Sequence, residues 1–165
     1  MTQWNKTESL QYLQNKIKEV RTAMLTTYSQ DKGFRSRPMG TADVDSEGNI
    51  WFFTDEFSQK VSDISVENMV SLTYSDPKNH TYLSIVGEAS IVNDEQKKKD
   101  LWNPFVKAFF PNGVDDPKLT LIKIIPHDAE YWDSSSSSMV VLFHVLKAAV
   151  TGKQYNEGEH GKIEL

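Results

Sequence analysis

The sequence predicts a small antiparallel β-barrel with helices packed around it, in the α+β or β-barrel class. Segments rich in β-branched and aromatic residues recur along the chain, and turn-forming Gly, Pro, Asn and Asp separate them. Only a few segments have the helical spacing of apolar residues, so helices decorate the strands rather than alternate with each of them. The chain has 165 residues, which predicts one domain over residues 1–165.

The first third of the chain predicts one helix followed by a meander of three strands. Between residues 7 and 20, apolar side chains recur every three or four positions, which is typical of an amphipathic helix, and Thr7 is a candidate N-cap. Residues 21–29, 35–43 and 49–54 predict the three strands. The turn sequences DKG and DSEGN separate them.

The middle of the chain predicts a short helix, two strands and a longer helix. Residues 58–66 have helical spacing, and residues 69–75 and 81–92 predict strands joined by the turn DPKNH. Gly87 inside the second of these strands indicates a bulge or a close backbone approach. Asp94 is a candidate cap for a helix that ends near residue 109 and is kinked at Pro104. Its apolar side carries Leu101, Trp102, Phe105 and Phe109.

The last part of the chain predicts two short strands and a final helix. Residues 119–125 and 129–133 predict strands separated by Pro126 and His127. The serine run at residues 134–138 predicts a polar loop, and residues 139–150 predict an apolar helix closed by Gly152. The tail from Lys153 is polar, although its last residues, KIEL, could dock on the domain.

Composition and charge restrict the classes of function. The net charge is −5 and the isoelectric point about 5.4, which argues against nucleic-acid binding driven by charge. The absence of cysteine excludes disulfides, thiolate metal sites and a cysteine nucleophile. The four histidines are scattered without metal-binding spacing, and the serine run lacks the motif of a serine hydrolase. The N-terminal segment has no signal-peptide core and no apolar run could span a membrane, so we expect a cytoplasmic protein.

The junction between the third strand and the short helix is a candidate anion site. Ser58 lies at the predicted helix N-terminus, where free backbone N–H groups and the helix dipole favour anions, and Thr54 adds a hydroxyl. Lys60 in the first turn opposes the dipole, a local cost that a bound anion would offset. The alternative interpretation is an ordinary serine cap beside a solvated lysine.

The segment RSRPMG, one hairpin earlier, combines two arginines with a proline that removes a backbone donor. On a neighbouring strand, Arg37 could reach the same anion or an electron-rich ring, while Pro38 and Met39 offer an apolar edge to a planar ligand. The alternative is an edge strand protected from pairing by charge and proline. The closeness of this segment to the anion site favours the functional interpretation.

Several short motifs together resemble the FMN-binding split barrel of the pyridoxamine 5′-phosphate oxidase superfamily, and most closely its general stress protein 26 branch. The motifs are Arg35–Met39, Trp51–Thr54, Ser58–Lys60, Val86–Ala89, Leu101–Gly113, Ala129–Asp133 and Lys147–Gly152. The resemblance lies in their order and spacing over nearly the whole chain. It implies a mainly β fold with helices, a six-stranded antiparallel split β-barrel, and a homodimer with FMN at the subunit interface.

The resemblance also implies roles for individual residues. Arg37, Pro38 and Met39 would line the isoalloxazine ring, Phe53 and Thr54 would contact the ring and ribityl chain, and Ser58 and Lys60 would hold the phosphate. Gln59 stands where the oxidases often have a second basic residue, which implies weaker phosphate binding. Tyr82 would come from the partner subunit, and Trp132 either stacks near the flavin or belongs to the core.

The implied activity is an FMN-dependent oxidoreductase, with NAD(P)H as a candidate electron donor. Arg37 would stabilise the negative charge of the reduced flavin, and no residue is assigned an acid–base role. The oxidases of pyridoxamine phosphate carry an arginine-rich C-terminal segment, whereas this chain has no arginine after Arg37, so their substrate site is not expected. The alternatives are a flavin-binding or flavin-storage stress protein without turnover, or a barrel that binds FAD, a deazaflavin or, least of all, haem.

Overall fold

The computed structural model describes residues 6–133 and 159–163 of the chain. The predicted serine loop and the predicted apolar helix at residues 139–150 lie outside these ranges. In chain order, the elements are α1 (Lys6–Val20), β1 (Thr22–Ser29), β2 (Gly33–Val44), β3 (Ile50–Asp55), α2 (Gln59–Val66), β4 (Met69–Asp76), β5 (Thr81–Val92), α3 (Glu95–Leu101), α4 (Pro104–Phe109), β6 (Leu119–Asp133) and β7 (Glu159–Ile163).

The first six strands form a closed antiparallel barrel, as the sequence predicts. Neighbouring strands follow the order β3-β2-β1-β4-β5-β6, and a further pairing between β3 and β6 closes the ring. The first half of β6 pairs with β3, from Leu119 opposite Asp55 to Ile124 opposite Ile50. The second half of β6 pairs with β7, a strand that the sequence did not predict.

Alternating burial along the strands fills the barrel with apolar side chains. In β1 the buried residues are Ala23, Leu25, Thr27 and Ser29, while the residues between them are more exposed. Leu13 and Ile17 of α1 join this core, which explains the helical spacing of the first segment. A second, smaller cluster lies outside the barrel, where Trp51, Phe53, Val106, Leu119 and Leu121 pack together.

The strand β6 is continuous from Leu119 to Asp133, so the predicted break at Pro126 is wrong. The register of β5 against β6 shifts between Val86 and Gly87, and Gly87 lies opposite Pro126. A Cβ on Gly87 would lie 2.5 Å from the backbone oxygen of Ile125. The bulge and the missing side chain accommodate a proline that has no N–H to donate. Both predicted roles of Gly87, bulge and close approach, are confirmed.

The predicted kinked helix from Asp94 to about residue 109 is in fact two helices. Asp94 caps α3 as predicted, since its carboxylate accepts a 2.9 Å hydrogen bond from the backbone N–H of Lys97. Asn103 then caps α4 by accepting from the N–H groups of Phe105 and Val106. Pro104 therefore begins a helix, at the position that proline favours, rather than bending one. Thr7 lies within α1 rather than before it.

Candidate functional site

The strands β2 and β3 diverge after a short stretch of pairing and leave a cleft between them. Their pairing extends from Val44 opposite Ile50 to Thr41 opposite Phe52. Beyond that point β2 pairs only with β1, and β3 pairs only with β6. Peptide groups on the open sides of the two strands are therefore not used in strand pairing within the described residues. They can bind the edge of a ligand.

This β2–β3 cleft has a volume of about 310 Å³. Its wall combines strand residues with a cover of side chains from α4 and the residue after it. The lining residues are Pro38, Met39, Gly40, Phe53, Thr54, Asp55, Lys60, Phe105, Val106, Phe109 and Phe110. Five of the residues that the sequence predicts for cofactor binding, Pro38, Met39, Phe53, Thr54 and Lys60, thus line one cleft. It is apolar over most of its length and polar where β3 ends.

Thr54 and Lys60 line the polar end of the cleft, and the Ser58 hydroxyl lies beside Thr54. The Lys60 ammonium donates a 3.0 Å hydrogen bond to the Thr54 hydroxyl, which lies 3.3 Å from the Ser58 hydroxyl. Ser58 occupies the N-cap position of α2 with an extended backbone, but its side chain makes no capping hydrogen bond. The first N–H groups of a helix have no acceptor within the helix. Two hydroxyls, one ammonium and these N–H groups are all donors available to an anion.

The charge of Lys60 is incompletely compensated. Burial lowers the pKa of the Lys60 ammonium below 10.5, the neighbouring guanidinium of Arg37 lowers it further, and Asp55 opposes both. Lys60 and Arg37 repel each other while partly shielded from water, so a bound anion would stabilise the charged form of both. This electrostatic arrangement favours the anion-site interpretation of Lys60 over that of a solvated surface lysine.

Arg37 is oriented by a buried carboxylate that the sequence analysis missed. Asp63 of α2 is 4% exposed, and its Oδ2 lies 3.8 Å from Nη2 of Arg37. The second terminal nitrogen of the guanidinium, Nη1, donates to the Thr27 hydroxyl at 2.8 Å, and that hydroxyl donates to Asp63 at 2.9 Å. Burial lowers the pKa of Arg37, while Asp63 raises it. Arg37 thus lies beside the candidate anion site, anchored to the barrel, rather than serving as a free charge on an edge strand.

Gln59 belongs to the same network and not to the polar end of the cleft. Its amide donates a 3.0 Å hydrogen bond to Oδ1 of Asp63, one helical turn later. The spacing of Gln59 and Asp63 is the signal that could have predicted this pair. The Gln59 side chain therefore helps to hold the Asp63 carboxylate, which in turn orients Arg37.

Tyr82 and Trp132 are neighbours on adjacent strands, but neither of them lines the β2–β3 cleft. Their Cα atoms face each other across β5 and β6, where Trp132 also lies opposite the backbone of β7. Trp132 is 37% exposed, so it is not a core residue. This end of β6 is the one away from β3. A contribution of either residue to the cleft requires a second subunit and stays a prediction.

Phe105 and Phe109 cover the cleft, whereas the sequence predicted that they face the core. Phe105 and Phe109 are 44% and 66% exposed, although their spacing indicated a core-facing side. Their rings pack edge to face at 5.3 Å over the cleft. Phe53 beneath them makes a similar contact with Trp102 at 5.8 Å. A short helix beside an open gap buries only part of its apolar side.

Neither a metal site nor a membrane-spanning helix is found in the described part of the chain. No group of three or more His, Asp or Glu side chains there could hold a metal ion. No helix within the same ranges is long and apolar enough to cross a membrane.

The fold is thus a closed antiparallel barrel, and its β2–β3 cleft is apolar except at one end, where Lys60 and the Thr54 hydroxyl lie. The family model described as pyridoxamine 5′-phosphate oxidase like matches residues 8–156, and this chain belongs to that family. The resemblance inferred from the sequence motifs is therefore confirmed.

Solved structures agree with this assignment. A general stress protein 26 from Jannaschia sp. CCS1 superposes with a TM-score of 0.74 at 22% identity, covering 96% of this chain and 99% of that one. The general stress FMN/FAD binding protein from Xanthomonas citri has a TM-score of 0.68 at 27% identity, covering 81% and 93%. The general stress protein 26 from Bacillus anthracis str. Sterne has a TM-score of 0.62 at 27% identity, covering 73% and 93%.

A curated relative extends the similarity to a fungus. Protein bli-3 of Neurospora crassa is 27% identical in an alignment of 141 positions that covers 79% of this chain and 68% of that protein.

Proposed function

We propose that this chain is an FMN-dependent oxidoreductase that works as a homodimer and takes electrons from NAD(P)H. The observation that carries the flavin assignment is the convergence of Lys60, Thr54 and Ser58 at the N-terminus of α2. A phosphate there would accept hydrogen bonds from groups that the protein leaves partly unsatisfied. A similar protein from Xanthomonas citri, 27% identical, is named as an FMN/FAD binding protein. This supports a flavin as the phosphate-bearing ligand.

The residues around the cleft fit the rest of the cofactor. The apolar walls formed by Pro38, Met39 and Phe53 suit a planar ring, and the unpaired strand edges suit its polar rim. Arg37 adds a fixed positive charge near the polar end. FMN would supply the redox chemistry, while these residues bind it, orient it and set the local charge. Gln59 would contribute indirectly, through Asp63.

The outer face of the barrel supports a second copy of the chain as partner. Met24, Tyr28 and Phe34 are 42%, 39% and 81% exposed, and the rings of Tyr28 and Phe34 pack together at 5.4 Å. An apolar sheet face of this kind favours association. The 310 Å³ cleft is small for a whole nucleotide, so a partner would complete the site. Tyr82 and Trp132 are the residues that the partner would provide.

A second candidate function is flavin binding without turnover. Among the described residues that line the cleft, the titratable side chains are Asp55 and Lys60, both at the proposed phosphate end. No proton donor or acceptor faces the apolar part of this lining, and the Phe105 and Phe109 rings cover it. This arrangement favours a protein that retains its flavin over one that processes a bulky substrate.

The test begins with the visible absorption spectrum of the purified protein and titrations with FMN, riboflavin and FAD. We expect one FMN per chain and weaker binding of riboflavin, which lacks the phosphate. Equal affinity for riboflavin would contradict the phosphate site, and no flavin binding would contradict the proposal. Oxidation of NADPH or NADH by the loaded protein then separates the oxidoreductase from the storage protein.

The dimer is tested separately by analytical ultracentrifugation of the wild type and of Phe34→Glu. We expect the variant to be monomeric and to bind FMN more weakly, because the partner side of the site is missing. A monomeric variant with unchanged FMN affinity would contradict a site at the subunit interface.

A further inference from the structure

A second cleft lies on the other side of β2, between α1 and the start of α4. Its volume is about 530 Å³, larger than that of the β2–β3 cleft. It is lined by Ile17, Lys18, Arg21, Thr41, Ala42, Asp43, Val44, Asn103, Pro104 and Phe105. We call it the α1–β2 cleft. A cavity of this size accommodates an ordinary small-molecule ligand.

Arg21 in this cleft has a backbone conformation that its side chain does not favour. Its φ is 63°, in the left-handed region that glycine or asparagine adopts more readily. Two hydrogen bonds hold it there: its N–H donates to the Ile17 oxygen at 2.7 Å, and its oxygen accepts from the Thr41 N–H at 2.8 Å. Glycine is the usual residue at such a helix end. Strained residues of this kind concentrate at functional sites, which points to a use for the arginine side chain.

The β2 wall of the cleft, next to Arg21, has a second irregularity. The register of β2 against β3 shifts between Thr41 and Asp43, so β2 is irregular where it lines the cleft. Irregularities of this kind redirect neighbouring side chains and are common beside ligand sites. The cleft therefore departs from regular geometry at two of its charged residues, Arg21 and Asp43.

The charged side chains of the cleft are not engaged elsewhere. Across residues 6–133 and 159–163, no hydrogen bond or ion pair involves the side chains of Lys18, Arg21 or Asp43. The uncharged polar residues of the lining are already used. Thr41 is hydrogen-bonded to Tyr74 at 2.8 Å, and Asn103 caps α4. Two cations and one carboxylate therefore remain to meet a ligand.

The two clefts are neighbours separated by one aromatic side chain. Phe105 lines both of them. Its ring lies against Gly40, where an added Cβ would come within 2.6 Å of Cε1 of the ring. A ligand in the α1–β2 cleft would therefore lie across Phe105 from the β2–β3 cleft.

We propose that the α1–β2 cleft binds a phosphorylated small molecule that also carries hydroxyl groups, of the nucleotide or sugar-phosphate class. The guanidinium of Arg21 offers a paired set of donors to phosphate oxygens, and Lys18 adds a point charge. Asp43 accepts hydrogen bonds from hydroxyls, which selects against a bare phosphate ion. This molecule would be the reaction partner of the flavin, a step that rests on the proposed function.

The test measures binding of redox-inert probes by isothermal titration calorimetry, with and without bound FMN. The probes are ADP-ribose, ribose 5-phosphate and inorganic phosphate, and the tightest of the first two identifies the class of ligand. The double variant Lys18→Gln/Arg21→Asn removes both charges, while asparagine suits the left-handed backbone at position 21. We expect at least a tenfold loss of ADP-ribose or ribose 5-phosphate affinity with unchanged FMN affinity. Lys78→Gln, at an exposed turn, is the control for loss of a positive charge away from the cleft.

The outcomes distinguish this inference from the proposed function. Wild-type affinity in a folded double variant, or tightest binding of inorganic phosphate, would overturn the α1–β2 site. Absence of binding by all three probes would also overturn it, even if FMN binds. If FMN fails to bind but the sugar-phosphate probes bind and respond to the double variant, the site stands and only its link to a flavin is lost.

Discussion

The ammonium of Lys60 donates a 3.0 Å hydrogen bond to the hydroxyl of Thr54, across the turn that joins β3 to α2. This contact holds a cation in the first turn of a helix, where the helix dipole disfavours it. The Ser58 hydroxyl lies 3.3 Å from the Thr54 hydroxyl and makes no capping hydrogen bond. The three side chains form a preorganised set of hydrogen-bond donors at the N-terminus of α2.

Replacement of Lys60 by alanine should weaken FMN binding far more than it lowers stability. A hydrogen bond to a charged group contributes about 1.5–3 kcal/mol, which corresponds to a rise in the FMN Kd of roughly tenfold to a hundredfold. The free energy of unfolding should change by less than about 1 kcal/mol, because the variant also removes the repulsion of Arg37. Fluorescence titration and urea unfolding measure the two quantities. Lys78→Ala is the matched control, and an FMN Kd unchanged in Lys60→Ala would remove Lys60 from the phosphate site.

The affinity for FMN should fall at alkaline pH. Folding lowers the pKa of Lys60 below 10.5, first through burial and then through Arg37. A lysine with a lowered pKa destabilises the fold while it is charged, and this penalty disappears as the pH rises towards 10.5. FMN binds the charged form, so its affinity should decline as Lys60 loses its proton.

The measurement is the FMN Kd as a function of pH, with riboflavin as control for titration of the ring. In Lys60→Arg the decline should disappear, because a guanidinium keeps its proton throughout this range. An identical alkaline decline in Lys60→Arg would assign the effect to another group.

Replacement of Asp63 by asparagine should destabilise the protein and misplace Arg37. The buried carboxylate accepts from Thr27 and Gln59 and lies 3.8 Å from Arg37. Removal of its charge leaves the guanidinium partly buried without its counterion, at an expected cost of about 1–3 kcal/mol. Urea unfolding measures the loss, with Glu67→Gln at the exposed end of the same helix as control. Additive effects of Asp63→Asn and Arg37→Gln in a double-mutant cycle would show that the two residues are not coupled.

Alanine substitutions at two glycines should have very different costs. At Gly87 an added Cβ would meet the backbone oxygen of Ile125 at 2.5 Å, inside the bulge opposite Pro126. At Gly40 it would meet the partly exposed ring of Phe105 at 2.6 Å, and that ring can move. We expect Gly87→Ala to cost more than about 2 kcal/mol and Gly40→Ala less than about 1 kcal/mol. Thermal unfolding of both variants measures the two losses of stability. Equal losses would contradict a rigid bulge at Gly87.

Most elements were predictable because their signals are local. The turns, the alternation in β1 and the cap at Asp94 each depend on a few consecutive residues. The continuity of β6 through Pro126 was not predictable in this way. Its bulge depends on β5, which is distant in sequence. The separate start of α4 has a local signal, the cap residue Asn103 followed by Pro104, but the apparently continuous spacing of apolar residues obscured it.

The sequence by itself determined the types and order of the elements from α1 to β5, and the clustering of Thr54, Ser58 and Lys60 at the β3–α2 junction. Hydrogen-bonding propensities and side-chain periodicity act over short stretches, so the chain encodes them directly. Only the tertiary structure decided that β2 and β3 diverge into a cleft, that Asp63 orients Arg37, and that Phe105 separates two clefts. These features depend on the register of strands that are far apart in the chain. They also depend on the desolvation of charges, which only the packed barrel produces.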